Sequence, residues 1–259
     1  MKIKMSAFFI VLTVVIFIIA GCGSGNSSSE DIKEIKVAAA SGLTLPFSEL
    51  GEAFEQETGV KVIFSFGSTG QLADQIVNGA PFDVFAAADI KFINNLIEKD
   101  LVIPETKTTH ALGRIGTATL SGHSIRVETL EDLLNPEIKK IAIANPDHAP
   151  YGLAAKQALE ATGIWEQLQG KLVYGRNISD TLAYIETGNA EAGIIALSLY
   201  KEDTLDFHRI DDTLHTPIEQ SIVVLNNTKQ EEAAREFIEF TMGPVGKPIM
   251  ERYGFVVPE

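Results

Sequence analysis

Four short turns in this chain place small hydroxyl, amide or glycine residues directly ahead of an amphipathic helix. They are Ala38-Ala39-Ala40-Ser41-Gly42, Phe66-Gly67-Ser68-Thr69-Gly70, Asn145-Pro146-Asp147-His148-Ala149-Pro150-Tyr151-Gly152 and Arg176-Asn177-Ile178-Ser179-Asp180. The first turn of a helix carries N–H groups with no intrahelical acceptor and the positive end of the helix dipole, so each of these turns is a seat for an anion. The hydroxyls of Ser41, Ser68 and Thr69 add further donors. If the turns converge, they would hold a small oxyanion without a single charged side chain. That is the chemistry of a receptor rather than of turnover. Taken singly, Ser41, Ser68 and Thr69 also read as ordinary helix N-caps; only the set points to a ligand.

Positioning such turns requires strands that end where helices begin. Ile35–Ala40 reads as a buried strand, Val60–Phe66 alternates as a second strand, and Val84–Ala87 reads as a third. The first two lead into apolar periodicities at Phe47, Leu50, Ala53, Phe54 and at Leu72, Ala73, Ile76, Val77; the third leads into Phe92, Leu96, Ile97. Pro46 suits a first helical turn, Gly59 a helix end, and Ser68 or Thr69 the cap of the second helix. A second set repeats the scheme: strand Ile141–Ala144 and helix Tyr151–Thr162, strand Leu172–Tyr174 and helix Asp180–Thr187, then strand Ala192–Ala196. An amphipathic helix over Gln230–Met242 follows, and Pro244 restarts a shorter one. Alternating strands and helices at this spacing predict βαβ units and mostly parallel α/β sheets. Two such sets predict two lobes with a cleft between them, lined at the carboxyl ends of the strands. The crossovers are expected near 111–118 and 221–226. Lobe I then comprises residues 35–110 and 222–259, and lobe II residues 111–221.

The N-terminus is an export signal. Lys2 and Lys4 precede an apolar run, Ala7–Ala20, too short for a stable membrane span. The segment closes on Ile19-Ala20-Gly21-Cys22, which resembles a bacterial lipobox. Residues 1–21 are therefore read as a lipoprotein signal peptide, Cys22 as the lipidation site, and residues 22–34 as the lipidated end and polar tether. Cys22 is the only cysteine, so no internal disulfide forms. The expected location is the extracytoplasmic face of the cell membrane, held by the lipid. The chain carries 21 basic and 35 acidic residues, net −14. Loss of Lys2 and Lys4 with the signal leaves 19 basic residues and a net charge near −16. Nucleic acid is excluded as a partner, because it demands a basic face. An anion would have to be held by local dipoles against the long-range field.

Enzymatic readings find little support. Gly67-Ser68-Thr69-Gly70 lacks the Gly-x-Ser-x-Gly order of a nucleophile elbow, so a hydrolase built on this turn is the weaker alternative. Gly243-Pro244-Val245-Gly246-Lys247-Pro248 has the wrong spacing for a P-loop. His110, His123, His208 and His215 show no metal-ligand spacing, and His148 reads as structural within its turn. A surface interaction protein with no small ligand would leave the glycine-rich turns without a purpose.

In their order and spacing, the four turns resemble the molybdate-binding proteins of ABC import systems, the ModA family. The likeness extends through Gly79-Ala80-Pro81-Phe82-Asp83-Val84-Phe85, Ala196-Leu197-Ser198 and Arg252-Tyr253-Gly254-Phe255, and so covers nearly the whole body. The resemblance implies a two-lobed periplasmic-binding-protein fold of type II. It implies a monomeric receptor without enzymatic activity or cofactor that captures molybdate or tungstate and passes it to a permease and its ATPase. Molybdenum would enter only within the oxyanion, with no direct protein ligand. Position by position, Ser41 and Thr69 are implied as ligand donors, and Tyr151 and Ile178 as donors through their backbone N–H. Ser68 and Ala196 are weaker candidates. Some members supply a tyrosine hydroxyl where this chain has Ala196; the Tyr151 side chain is one replacement, and a site with one bond fewer is the other. A receptor for another tetrahedral oxyanion such as sulfate stays open.

Overall fold

The computed structural model describes residues 33–258. The signal segment, Cys22 and the tether as far as residue 32 lie outside the described residues. From there the chain runs β1 (Glu34–Ala40), α1 (Thr44–Thr58), β2 (Lys61–Gly67), α2 (Thr69–Val77), β3 (Val84–Ala87), α3 (Ile90–Glu98) and β4 (Thr108–Gly113). It continues through β5 (Ile115–Leu120), β6 (Ile141–Ala144), α4 (Pro150–Ala161), the single turn α5 (Trp165–Leu168), β7 (Leu172–Gly175), α6 (Ile178–Glu186), β8 (Ala192–Ala196) and β9 (Leu205–Arg209). β10 (Ile218–Val224), α7 (Glu231–Met242) and α8 (Gly246–Arg252) close the fold.

Two five-stranded sheets result, ordered β2-β1-β3-β10-β4 and β7-β6-β8-β5-β9. In each, one strand runs against the rest: β10 in the first and β5 in the second. These are the strands the chain enters after changing sheets. It crosses once at Arg114, between β4 and β5, and back through residues 210–217, between β9 and β10. Residues 111–113 and 218–221, expected in the second lobe, therefore pair within the first sheet. Glu219 and Gln220 interrupt the apolar pattern of β10, which hides where that strand begins. The other expected boundaries move by one to three residues; α6 starts at Ile178 rather than Asp180.

Alternation along the strands builds a core on both faces of the first sheet. Val37 and Ala39 of β1, with Val84 and Ala86 of β3, pack under Phe47, Leu50 and Phe54 of α1. Phe237 of α7 joins them edge-on, its ring centroid 5.3 Å from that of Phe54. On the opposite face Ala38, Phe85 and Ala87 meet Leu72 and Ile76 of α2 and Ile93 and Leu96 of α3. In the second sheet, Ile141–Ala144 and Ala192–Ala196 are buried along their whole length, as central strands covered on both faces must be. With the sheets so anchored, the carboxyl ends of β1, β2, β6 and β7 deliver the four turns to a common place.

Candidate anion-binding site

A small cavity is lined by residues of all four turns. Ser41 with Gly42, Ser68 with Thr69, Pro150 with Tyr151, and Asn177 with Ile178 form its wall, together with Ala40, Gly67, Ala88 and Ala149. Ser41, Thr69, Tyr151 and Ile178, separated by up to 137 positions in sequence, are thus brought together. Among the described residues this lining holds no Asp, Glu, Lys, Arg or His. A larger groove opens beside it, lined by charged Asp89, Lys91 and Glu219, with Lys91 paired to Asp89 at 2.9 Å.

Each seat is built locally. Thr69 and Ile178 are the first residues of α2 and α6, and Tyr151 is the second of α4, after Pro150. Their N–H groups have no intrahelical acceptor by construction, and none is supplied by the loop and cap hydrogen bonds. Asn177 caps α6, its Oδ1 accepting the Asp180 N–H at 2.9 Å. Ser68 occupies the cap position of α2 without making the cap bond. Gly152 packs its Cα so tightly on the carbonyl of Ala144 that no side chain fits, which brings the start of α4 down to the strand end.

The hydroxyls sort by where their protons go. Thr69 Oγ1 accepts the Ala88 N–H at 3.2 Å, so its own proton is free to donate. Nearby carbonyls are each claimed. Ser41 O accepts from Thr44 Oγ1 (2.7 Å) and Ser179 Oγ (3.2 Å), Gly42 O from Ser198 Oγ (2.6 Å), and His148 O from Ser68 Oγ (2.7 Å) and the Gly70 N–H (2.9 Å). The wall is left rich in donors and poor in acceptors. Four of these bonds join the lobes: those from Ser179, Ser198, Ser68 and Gly70 each link a residue on one sheet's turns to a residue on the other's. The two lobes are closed on each other around the cavity.

One expectation is corrected. Ala196 ends β8, fully buried and paired to Ile115, and is not part of the wall. The hydroxyl that its turn does contribute, Ser198, binds Gly42 instead. The Tyr151 phenol oxygen accepts from Gln220 Nε2 at 3.3 Å at the crossing strands, which leaves its own proton uncommitted. Burial pushes this phenol up, so it stays neutral. Ser179 and Ser198 lie in segments that the sequence singles out, but their partners, and Gln220, carried no signal, because nothing in local spacing announces a contact more than sixty residues away.

Two α/β lobes closed on a donor-lined cavity at their strand ends define a solute-binding protein. Residues 35–256 match the model for bacterial extracellular solute-binding proteins, and the chain belongs to that family. It is 34% identical to the molybdate-binding protein ModA of Rhodobacter capsulatus over 86% of this chain and 88% of that one. It is 36% identical to ModA of Azotobacter vinelandii over 86% and 89%. The solved periplasmic molybdate-binding protein of A. vinelandii superposes with a TM-score of 0.82 at 28% identity, over 87% of this chain and all of that one. As an extracellular solute-binding protein, the chain works outside the cytoplasm. No helix among the described residues is long and apolar enough to cross a membrane.

Proposed function

We propose that this protein is the receptor of an ABC importer, capturing molybdate or tungstate between its lobes and delivering it to the permease. The observation that carries the reading is the convergence of Ser41, Thr69, Tyr151 and Ile178 on one uncharged wall. A tetrahedral dianion offers only acceptors, and this wall offers hydroxyl and N–H donors with helix dipoles behind them. No protein atom is called on to bond the metal; molybdenum is cargo, inside its oxygen shell. ModA relatives at 34–36% identity support the same cargo.

Calorimetry with molybdate on the protein lacking residues 1–32 tests the reading directly, and absence of heat and of any melting shift would refute it. Ser41→Ala and Thr69→Val should each weaken binding by about 1.5–3 kcal/mol, roughly 10- to 150-fold, the range for hydrogen bonds to charged groups. Thr69→Val also strands the Ala88 N–H, so the ligand-free melting temperature must be read beside the affinity. Wild-type affinity in both variants would remove these hydroxyls from the site.

The lipid anchor belongs to the same proposal and rests on Ile19-Ala20-Gly21-Cys22. Cys22→Ser should abolish fatty-acid labelling and release the protein from the membrane, while the shed body still binds molybdate. Persistent labelling of that variant would place the acyl chain elsewhere.

A further inference from the structure

Ser68 lies on the cavity wall, 2% exposed, yet its hydroxyl points across the cleft. Its Oγ is 2.7 Å from the main-chain oxygen of His148 and 2.8 Å from His148 Nδ1. A carbonyl oxygen can only accept, so the single Ser68 proton goes there. The imidazole must then donate from Nδ1, with Ser68 Oγ accepting. Both capacities of the Ser68 hydroxyl are thereby committed to the opposite lobe, and no proton remains for an anion in the cavity. The Gly70 N–H adds a second bond to the same carbonyl at 2.9 Å. This approach depends on glycine: a Cβ at residue 70 would sit 2.8 Å from His148 O and 2.9 Å from His148 Cβ.

We infer that Ser68 and His148 form a latch that holds the lobes closed and sets affinity through the closed state, without either side chain donating to the anion. The inference rests on the receptor reading above and specifies its mechanism. If the closed form is the binding-competent one, the apparent Kd equals the intrinsic Kd divided by the closed fraction. A latch residue therefore changes Kd by the same factor for every anion. A donor residue instead changes the ratio between anions of different size. Ser68 and His148 are positioning residues by this criterion, and Ser41 and Thr69 are contact residues.

The test compares wild type, Ser68→Ala, His148→Ala, His148→Asn and the Ser68→Ala/His148→Ala double variant. Molybdate, tungstate and sulfate are titrated by calorimetry, and X-ray scattering is recorded on the ligand-free proteins. Ser68→Ala should weaken all three anions by about tenfold, with the molybdate-to-sulfate ratio unchanged within about twofold, as loss of one or two hydrogen bonds implies. His148→Ala keeps the carbonyl contact and should lose about threefold. The double variant should be no worse than Ser68→Ala, because the two act through one contact. His148→Asn, whose Nδ2 can donate from the place of Nδ1, should restore most of the loss. In scattering, Ser68→Ala should shift the ligand-free protein toward a larger radius of gyration. A changed anion ratio in Ser68→Ala alongside wild-type behaviour of His148→Ala would overturn the latch and make Ser68 a ligand donor. Unchanged affinities in both single variants would overturn it as well. Should wild type bind none of the three anions, the receptor reading fails separately. Scattering then decides on the latch, and identical profiles for wild type and Ser68→Ala refute it.

Discussion

Molybdate and tungstate should bind this protein about equally well, and phosphate should bind about 5- to 150-fold more weakly. The reason lies in how the protons around the cavity are distributed. Near neutral pH molybdate and tungstate are bare dianions, so every oxygen accepts. Phosphate keeps at least one proton, which needs an acceptor. The carbonyls of Ser41, Gly42 and His148 are already claimed by hydroxyl or amide donors. Thr69 Oγ1 already accepts from Ala88, and Asn177 Oδ1 from Asp180. Ser41 Oγ could turn to accept, but the site would then forfeit a donor. A buried polar group without its partner costs about 1–3 kcal/mol, which corresponds to about 5- to 150-fold. Sulfate is also a bare dianion and escapes this filter. Its shorter bonds are excluded only by size, in a wall whose seats are fixed by helix starts on two rigid sheets. Competitive calorimetry with the four anions decides the matter. Phosphate binding as tightly as molybdate would defeat the donor-only wall. Sulfate doing so would leave the wall standing and make sulfate the cargo.

Much of this site is legible in the sequence because its seats are local objects. A buried run such as Ile141–Ala144 followed by Asn, Pro and Gly marks a strand end and a helix start within a dozen residues. Those marks place Ser41, Thr69, Tyr151 and Ile178 in turns before any tertiary contact is known. The cross-lobe bonds are of another kind. Ser179 reaches Ser41 and Ser198 reaches Gly42 across 138 and 156 positions, and their residue types are unremarkable in either context. The same limit explains Ser68 and Thr69. Adjacent hydroxyls at a helix start are equivalent on paper, and only the approach of His148 turns one away from the cavity. β9 and the start of β10 were obscured because Asp206, Arg209, Glu219 and Gln220 break their apolar runs. Pairing with β5 and β4 supplies the order that composition does not.

Stability should fall steeply as pH drops from about 6.5 toward 3, and His110 should be a principal cause. This residue, on β4, is 1% exposed, neither ring nitrogen has a hydrogen-bond partner, and its ring lies 5.7 Å from that of Phe47. Burial among apolar groups disfavours the imidazolium and pulls its pKa down from 6.5 to about 3. The unfolded chain, with an ordinary histidine, binds the proton first. Between these two values the unfolded state therefore holds more protons, and stability increases with pH. The contribution is complete above about pH 6.5 and is lost as pH falls through the window. At about 1.4 kcal/mol per unit, the full span amounts to at most about 5 kcal/mol, and pH 4.5 already forfeits about 3. Asp132, Glu191 and Asp211 are also held below their usual values by hydrogen bonds, but carboxylates act lower in pH, below their ordinary range. His110→Leu separates the two contributions. It removes the titration together with two unpartnered polar atoms, so the variant should match or exceed wild type at pH 7. Urea unfolding at pH 7 and 4.5 reads the difference directly. Wild type should lose about 3 kcal/mol more than His110→Leu over that interval. Equal losses in both proteins would show that the His110 imidazole titrates alike in the folded and unfolded chains, and would refute its role in the acid sensitivity.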